Sequence, residues 1–235
     1  MTGVQTCALP ISHDLQTPLT SIRAVAAEVG ATEDLSASAQ RDLGTITHQA
    51  DRMGRMVGQL LAVSRLEAGA LESHQEIFRA EPIVQRTWDA LRDANHQFTF
   101  QSQGERHLVV GDPDRYEQVL WALLDNATKY APPGTEVAVT VAGRAVEDGT
   151  LVSELAVTDQ GPGMGEADQA RAFDQFFRGD DARKMVPNGS GIGLYAARGL
   201  VEAMHGHLEL ESTQGAGTTF RVTLPAEAAS VGISE

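Results

Sequence analysis

The N-terminal part of the chain carries apolar side chains at helical spacing. Between residues 13 and 29 they recur at alternating steps of four and three, which draws one stripe along a helix: Leu15, Leu19, Ile22, Ala26 and Val29. Gly30 ends this pattern, and a second, heptad-like stripe follows: Leu43, Ile46, Ala50, Met53, Val57, Leu60 and Ser64. Because the connection is short, residues 12–69 predict an antiparallel helical hairpin.

Two helices with one apolar seam each do not enclose a core. Two such hairpins together form a four-helix bundle, so the pattern predicts a homodimer. We therefore expect the hairpin to be the dimerisation element of the chain.

After Gly69 the pattern changes to short alternating strands interleaved with helices. Strands are predicted at 76–79, 97–101, 108–110, 136–141, 151–158, 207–212 and 218–224, and helices at 82–94, 114–130 and 192–204. Their irregular order predicts an α/β sandwich over residues 70–225, with helices on one face of the sheet, rather than a doubly wound fold. Residues 226–235 are predicted to be a frayed tail.

Composition narrows the classes of partner. The 235 residues carry a formal net charge of −14, with 32 acidic against 18 basic side chains. Such a surface repels phosphate backbones and anionic lipid, so we expect contact neither with nucleic acid nor with a membrane. The sequence has no apolar run of about 18 residues, as a membrane span needs. Its single cysteine, Cys7, excludes an intrachain disulfide and fits the cytoplasm.

The second domain carries four short motifs that each suit one part of a nucleotide. They are Asp-Asn-Ala at 125–127, DQGPG at 159–163, GSGIG at 189–193 and GAGTTF at 215–220. An acidic residue at a strand end accepts from an adenine amine, and a glycine-rich turn entering a helix offers free N–H groups to phosphate. An asparagine on a facing helix offers a neutral oxygen to Mg²⁺. Each motif alone is typical of an ordinary turn or cap, but the four in this order predict a site for a nucleotide with Mg²⁺.

This arrangement resembles the sensor histidine kinases of two-component systems, and the resemblance covers residues 12–225. It implies an ATP-binding domain of the Bergerat type, shared with gyrase B, MutL and Hsp90. Asn126 would bind Mg²⁺, while Lys129 and Tyr130 would contact phosphate and adenine. Asp159 would recognise the adenine amine. The other implied ATP contacts are Gly161, Gly163, Gly189, Gly191, Gly193, Leu194 and either Thr218 or Thr219, between which the sequence does not choose.

The run AFDQFFRGD at 172–180 is similar to the phenylalanine box of the same family. The resemblance makes Phe173, Phe176 and Phe177 packing residues and Arg178 a phosphate contact. The polar segment 179–188 would be a flexible lid that closes over ATP.

The first helix opens with SHDLQTPLTSI, which resembles the phosphoacceptor box of the family. A neutral imidazole is a nucleophile near pH 7, since the ordinary pKa of histidine is roughly 6.5, so His13 is the expected phosphoacceptor. Asp14 would hold or accept an imidazole proton. Thr17 lies one turn further on, where relatives position water for removing phosphate from the partner regulator. Pro18 lacks the N–H that bonds the carbonyl of Asp14, so we expect a bend there.

These features imply transfer of the γ-phosphoryl group of ATP to His13, and then to an aspartate on the receiver domain of a response regulator. Two departures leave alternatives open. Ala122 stands where kinases of the family carry a second Asn and the related ATPases carry a water-activating Glu, and Gln16 stands where relatives usually carry Arg. Ala122 argues against an ATPase, and it keeps a catalytically weak pseudokinase scaffold as the alternative.

Residues 1–11 do not fit the rest of the chain. MTGVQTCALPI has no helical period and no strand alternation, and it resembles the translation of a widely used sequencing adapter. We interpret it as an assembly artefact, in which case Cys7 is not native. We then expect the gene to continue upstream into sensor and membrane segments, with this part facing the cytoplasm. The sequence does not indicate the stimulus, the cognate regulator, the kinase-to-phosphatase balance, or whether phosphate passes within or between subunits.

Overall fold

The computed structural model describes residues 8–31, 35–70, 74–91, 93–104, 107–146, 149–187 and 189–228, with side chains from residue 18 onward except at 52. The chain divides into two compact units, Met1–Leu71 and Glu72–Glu235. Within the described ranges, none of the helices combines the length and apolar character of a membrane span.

The first unit consists of two packed helices, α1 (Ala8–Gly30) and α2 (Ala37–Glu67). α1 ends at the predicted glycine, but it begins at Ala8, inside the segment that showed no helical period. The helix accommodates Pro10 because the N–H groups of the first turn have no partner within a helix. A proline at this position therefore sacrifices no helical hydrogen bond.

The seam between the two helices is narrow. Its buried residues are small or aliphatic: Leu19, Ala26, Ala50, Ala62 and Val63. Other members of the predicted stripes are 40% to 55% exposed in the single chain, namely Ile22, Val29, Ile46, Met53 and Leu60. One hairpin thus covers only part of its apolar surface.

In the described part of the second unit, seven strands form one sheet. They are β1 (Glu76–Phe78), β2 (Gln97–Gly104), β3 (His107–Gly111), β4 (Glu136–Ala145), β5 (Leu151–Asp159), β6 (His207–Thr213) and β7 (Gly217–Ala228). The strand order is β1-β3-β7-β5-β4-β2, and β6 pairs with β7. β2 and β4 pair in parallel, and the other pairs are antiparallel.

Three helices cover one face of this sheet: α3 (Ala80–Leu91), α4 (Pro113–Tyr130) and α7 (Gly193–Ala203). The face is apolar because alternate strand residues point to it, and Val139, Val157 and Phe220 lie side by side on it with at most 1% exposure. The predicted α/β sandwich is confirmed.

Two features differ from the prediction. α5 (Glu166–Gln169) and α6 (Asp180–Met185) lie between β5 and α7, and both are too short to show a helical period in the sequence. β7 continues to Ala228, so the predicted tail is wrong for 226–228; these residues pair with 107–109 of β3. That pairing partner is more than a hundred residues away in the chain, where local pattern carries no information about it.

Candidate functional site

Asp159 ends β5 with its carboxylate on the helix-covered face of the sheet. Asp159 is 3% exposed, and the main-chain N–H of Gly161 donates to its Oδ1 at 2.7 Å. Burial raises the pKa of Asp159 from 3.8 to about 6, while hydrogen bonds from the backbone of Gly161 and Thr218 oppose the rise. The site therefore holds a desolvated acceptor that is charged at neutral pH.

The C-terminal end of α4 lies next to this carboxylate. A β-carbon at position 161 would lie 2.7 Å from Asp159 Oδ1 and 3.2 Å from Tyr130 O, so only glycine fits there. Asn126 lies one helical turn before Tyr130 and is half-buried. The structure thus places the end of α4 at Tyr130 beside Gly161 and Asp159, with Asn126 one turn earlier on the same helix.

Two other positions of α4 matter for the predicted binding of phosphate and metal. Lys129 forms an ion pair with Asp125 on the same helix, and its side chain is 39% exposed. Ala122, one turn before Asn126, is buried and offers no polar atom. In the described part of the chain no group of three or more His, Cys, Asp or Glu side chains converges. A cation at Asn126 would therefore need phosphate oxygens and water to complete its coordination.

The strand register separates the two threonines that the sequence left open. Thr218 lies opposite Asp159 on the helix-covered face and is 6% exposed. Thr219 points to the other face, where its hydroxyl lies 3.0 Å from Thr158 Oγ1. Thr218 is therefore the threonine of the site, and the assignment of Thr219 to it is not supported.

The start of α7 is suited to an anion. Gly189 and Gly191 precede it, and Gly193 and Leu194 are its first two residues. Ile192 occupies the N-cap position and provides no side-chain hydrogen bond, so the first amides of the helix lack a side-chain cap. Such amides, at the positive end of the helix dipole, are typical ligands of phosphate.

Arg178 is directed into the segment predicted to be the lid. Its Nη1 donates to the carbonyls of Pro187 at 3.1 Å and Gly189 at 3.0 Å, and its Nη2 donates to the carbonyls of Ala182 at 2.8 Å and Val186. In this conformation the guanidinium organises the lid, which contains α6. A contact from Arg178 to phosphate, which stays a prediction, requires the side chain to leave these carbonyls.

The phenylalanine box contains one exposed ring. Phe173 lies edge-on to Phe220 with ring centroids 6.5 Å apart, and Phe177 is half-buried. Phe176 is 60% exposed and has a φ of 61°, so the expected packing role is wrong for this residue. Its N–H donates to Gly191 O at 3.0 Å, which holds the left-handed backbone that turns the ring outward.

The phosphoacceptor box lies in the first unit. The backbone of His13, Asp14 and Thr17 belongs to α1. Their side chains lie outside the described part of the structure, so their roles stay predictions from the sequence.

Comparison with known proteins assigns the family. Residues 111–228 match the histidine kinase-, DNA gyrase B- and HSP90-like ATPase family, and residues 10–69 match the His Kinase A phospho-acceptor domain. The chain belongs to the sensor histidine kinase family and contains the transmitter region of a two-component sensor kinase.

Two curated relatives agree with this assignment, and one solved structure has a similar fold. The sensor-like histidine kinase SenX3 of Mycobacterium tuberculosis is 31% identical over 219 residues, which are 92% of this chain and 52% of SenX3. The sensor protein SrrB of Staphylococcus aureus is 29% identical over 226 residues, 92% of this chain and 37% of SrrB. The crystal structure of full-length ShkA in complex with AMPPNP has a TM-score of 0.67 at 22% identity, covering 94% of this chain and 46% of ShkA. The chain thus spans about half the length of SenX3.

The raised pKa of Asp159 predicts a pH-dependent affinity for ADP. Protonation below about pH 6 removes the charged acceptor, so the affinity should fall as the pH is lowered from 8 to 5. Phosphate groups titrate near pH 6 too, so the informative quantity is the affinity ratio of wild type to Asp159→Asn, measured by calorimetry at each pH. A ratio that stays constant across this range contradicts the prediction.

The same substitution carries its own folding control. Because the folded-state pKa is raised, the charged carboxylate destabilises the unliganded protein above pH 6, and this cost disappears as the pH falls. Asp159→Asn should therefore raise the unfolding temperature at pH 8 while it weakens binding, whereas the exposed control Asp89→Asn should change neither.

Arg178→Ala is predicted to loosen the lid in the absence of nucleotide. The variant removes four hydrogen bonds to main-chain carbonyls, so hydrogen exchange should accelerate at the amides of Arg183 and Val186, which close the turns of α6. Arg178→Lys should not restore protection, because an ammonium lacks the planar fork of donors. Arg183→Ala on the same segment is the control, and equal exchange in all variants would contradict this role.

Proposed function

We propose that the chain uses ATP to phosphorylate His13 and passes the phosphoryl group to an aspartate on the receiver domain of a response regulator. The observation that carries the proposal is the presence, in one chain and in this order, of a phospho-acceptor domain that includes His13 and an ATPase-like domain. The geometry around Asp159 supports it, since a buried acceptor, a glycine turn and an uncapped helix start lie on one ATPase-like fold.

In this proposal each region of the site takes one part of ATP. Asp159 accepts a hydrogen bond from the adenine amine, and Thr218 lies beside it. The phosphates lie toward the first amides of α7, where Lys129 and Arg178 supply positive charge. Mg²⁺, held in part by Asn126, would offset the negative charge of the phosphates.

The transfer itself needs little covalent chemistry from the protein. A ring nitrogen of His13 forms a bond to the γ-phosphorus while the bond from that phosphorus to the bridging oxygen breaks, and ADP leaves. Asp14 takes or holds the proton of the imidazole. Thr17 positions water for the removal of phosphate from the phosphorylated regulator.

The hairpin supports a homodimer. Its exposed aliphatic residues on α1 and α2 belong to the same stripes that pack in the seam, and a second hairpin would cover them in a four-helix bundle. An uncovered apolar stripe of this kind is typical of an interface.

If the chain is a homodimer, one charged substitution in the interface should lower its molecular mass in solution. Ile46 is 47% exposed on the stripe of α2, so Ile46→Glu should place charge in the interface and shift the chain from dimer to monomer in multi-angle light scattering. Thr45→Glu, an exposed neighbour off the stripe, should leave the dimer intact. A wild-type chain that is monomeric at micromolar concentration would contradict the dimer proposal.

The relatives also bear on the whole protein. Both curated relatives are named as sensor proteins and are longer than this chain. We propose that the complete protein adds a sensor region that anchors it to the membrane, with this chain facing the cytoplasm.

One experiment separates the kinase from two alternatives, the pseudokinase scaffold that Ala122 keeps open and the ATPase that Ala122 argues against. Incubation with γ-labelled ATP and Mg²⁺ should give acid-labile, base-stable label on the chain, and His13→Gln should abolish it. Free phosphate without label would indicate an ATPase, and neither product would indicate a pseudokinase scaffold. A chain with native helix restored above Ser12 is the control for a negative result, since a phosphoacceptor near a helix end depends on neighbouring turns.

A further inference from the structure

Ser212, at the end of β6, joins three elements around Asp159. Its Oγ accepts a hydrogen bond from the N–H of Met164 at 2.9 Å, donates to the carbonyl of Gly217 at 2.9 Å, and lies 3.0 Å from Thr218 Oγ1. Met164 belongs to the loop after Asp159, and Gly217 and Thr218 open β7. One hydroxyl therefore connects this loop to the strand that flanks Asp159.

The single proton of the Ser212 hydroxyl fixes the orientation of the Thr218 hydroxyl. A serine hydroxyl has one proton and two acceptor lone pairs. The proton goes to the carbonyl of Gly217, which can only accept, and one lone pair is taken by the N–H of Met164. The contact with Thr218 must then use the second lone pair of Ser212, so the hydroxyl of Thr218 is the donor. Thr218 Oγ1 thereby keeps its own lone pairs and has no proton left for a ligand.

The position of Ser212 is itself braced. Gln169 Nε2 donates to Met164 O at 2.7 Å and to Ser212 O at 2.9 Å, which uses both amide protons. At Gly163, a β-carbon would lie 2.0 Å from Thr213 O, so the loop and the β6–β7 turn are in direct backbone contact. This loop and turn therefore hold Ser212 at a fixed distance from Thr218.

We propose that Ser212 is a positioning residue that sets the base selectivity of the site by holding Thr218 as a hydrogen-bond acceptor beside Asp159. Two adjacent acceptors favour an exocyclic amino group, which brings two N–H donors. They disfavour a purine with a carbonyl at the same position, since an acceptor would then face two acceptors. This inference rests on the proposed binding of a nucleotide at Asp159, and it concerns which base that site prefers.

Inosine diphosphate is the matched probe, because it replaces the 6-amino group of ADP with a carbonyl at nearly the same shape. Affinities for ADP and IDP are measured by calorimetry on the full chain. In Ser212→Ala the hydroxyl of Thr218 is free to rotate and donate, so the IDP-to-ADP ratio of dissociation constants should fall by about threefold to tenfold, the range of one neutral hydrogen bond. Ser212→Thr keeps the hydroxyl and should restore the wild-type ratio.

A second variant tests the same point without depending on the folding of Ser212→Ala. Thr218→Val removes the acceptor, so it should weaken ADP more than IDP, and adding Ser212→Ala to it should not change the ratio further. If Ser212→Ala or Thr218→Val weakens both ligands equally, or leaves the ratio unchanged, Ser212 is only a structural brace and the inference is wrong. If the wild-type chain binds neither nucleotide, the proposed function fails instead.

Discussion

The candidate site is built around one carboxylate that the fold of the second unit keeps out of water, although its charge costs stability. A charge buried beneath helices is costly unless hydrogen bonds compensate it, and Asp159 receives them from the main chain at Gly161 and Thr218. Those donors reach it only because position 161 has no β-carbon and because the register places Thr218 directly opposite. The compensation is incomplete, as the raised pKa shows. The fold therefore retains a desolvated acceptor that a ligand with N–H donors can satisfy.

The other parts of the candidate site belong to α4, α7 and the segment that Arg178 holds. α4 ends with its Tyr130 carbonyl against Gly161, and Asn126 lies one turn earlier on the same helix. At the other end, the amides of α7 start without a side-chain cap. Between them, the lid is held by Arg178, whose fork of donors is matched to main-chain carbonyls rather than left open to solvent. If Arg178 also contacts phosphate, as we propose, its side chain must leave these carbonyls, and phosphate binding would then release the lid segment.

The glycines at 161 and 163 have a structural reason that the sequence did not indicate. The family resemblance implied that both glycines contact ATP. In the structure, the residues at 161 and 163 are glycine because the chain itself approaches: the carboxylate and α4 at one, the β6–β7 turn at the other. The side chains responsible for that turn, Ser212 and Gln169, carried no motif signal, because a serine on an alternating strand and a glutamine in a four-residue helix are ordinary in sequence.

The sequence by itself determined the two-part organisation, the hairpin, the helix-covered sheet and the positions of the nucleotide motifs, because apolar periodicity and glycine-rich turns are local properties. It also determined the family, because the order of the motifs can be read directly from the sequence. Only the tertiary structure decided which of two neighbouring threonines faces the site, that Phe176 points outward, and that β7 extends to pair with β3. Each of these depends on strand register or on a contact between segments distant in the chain. A local pattern repeats along one segment and carries no record of which other segment will lie beside it.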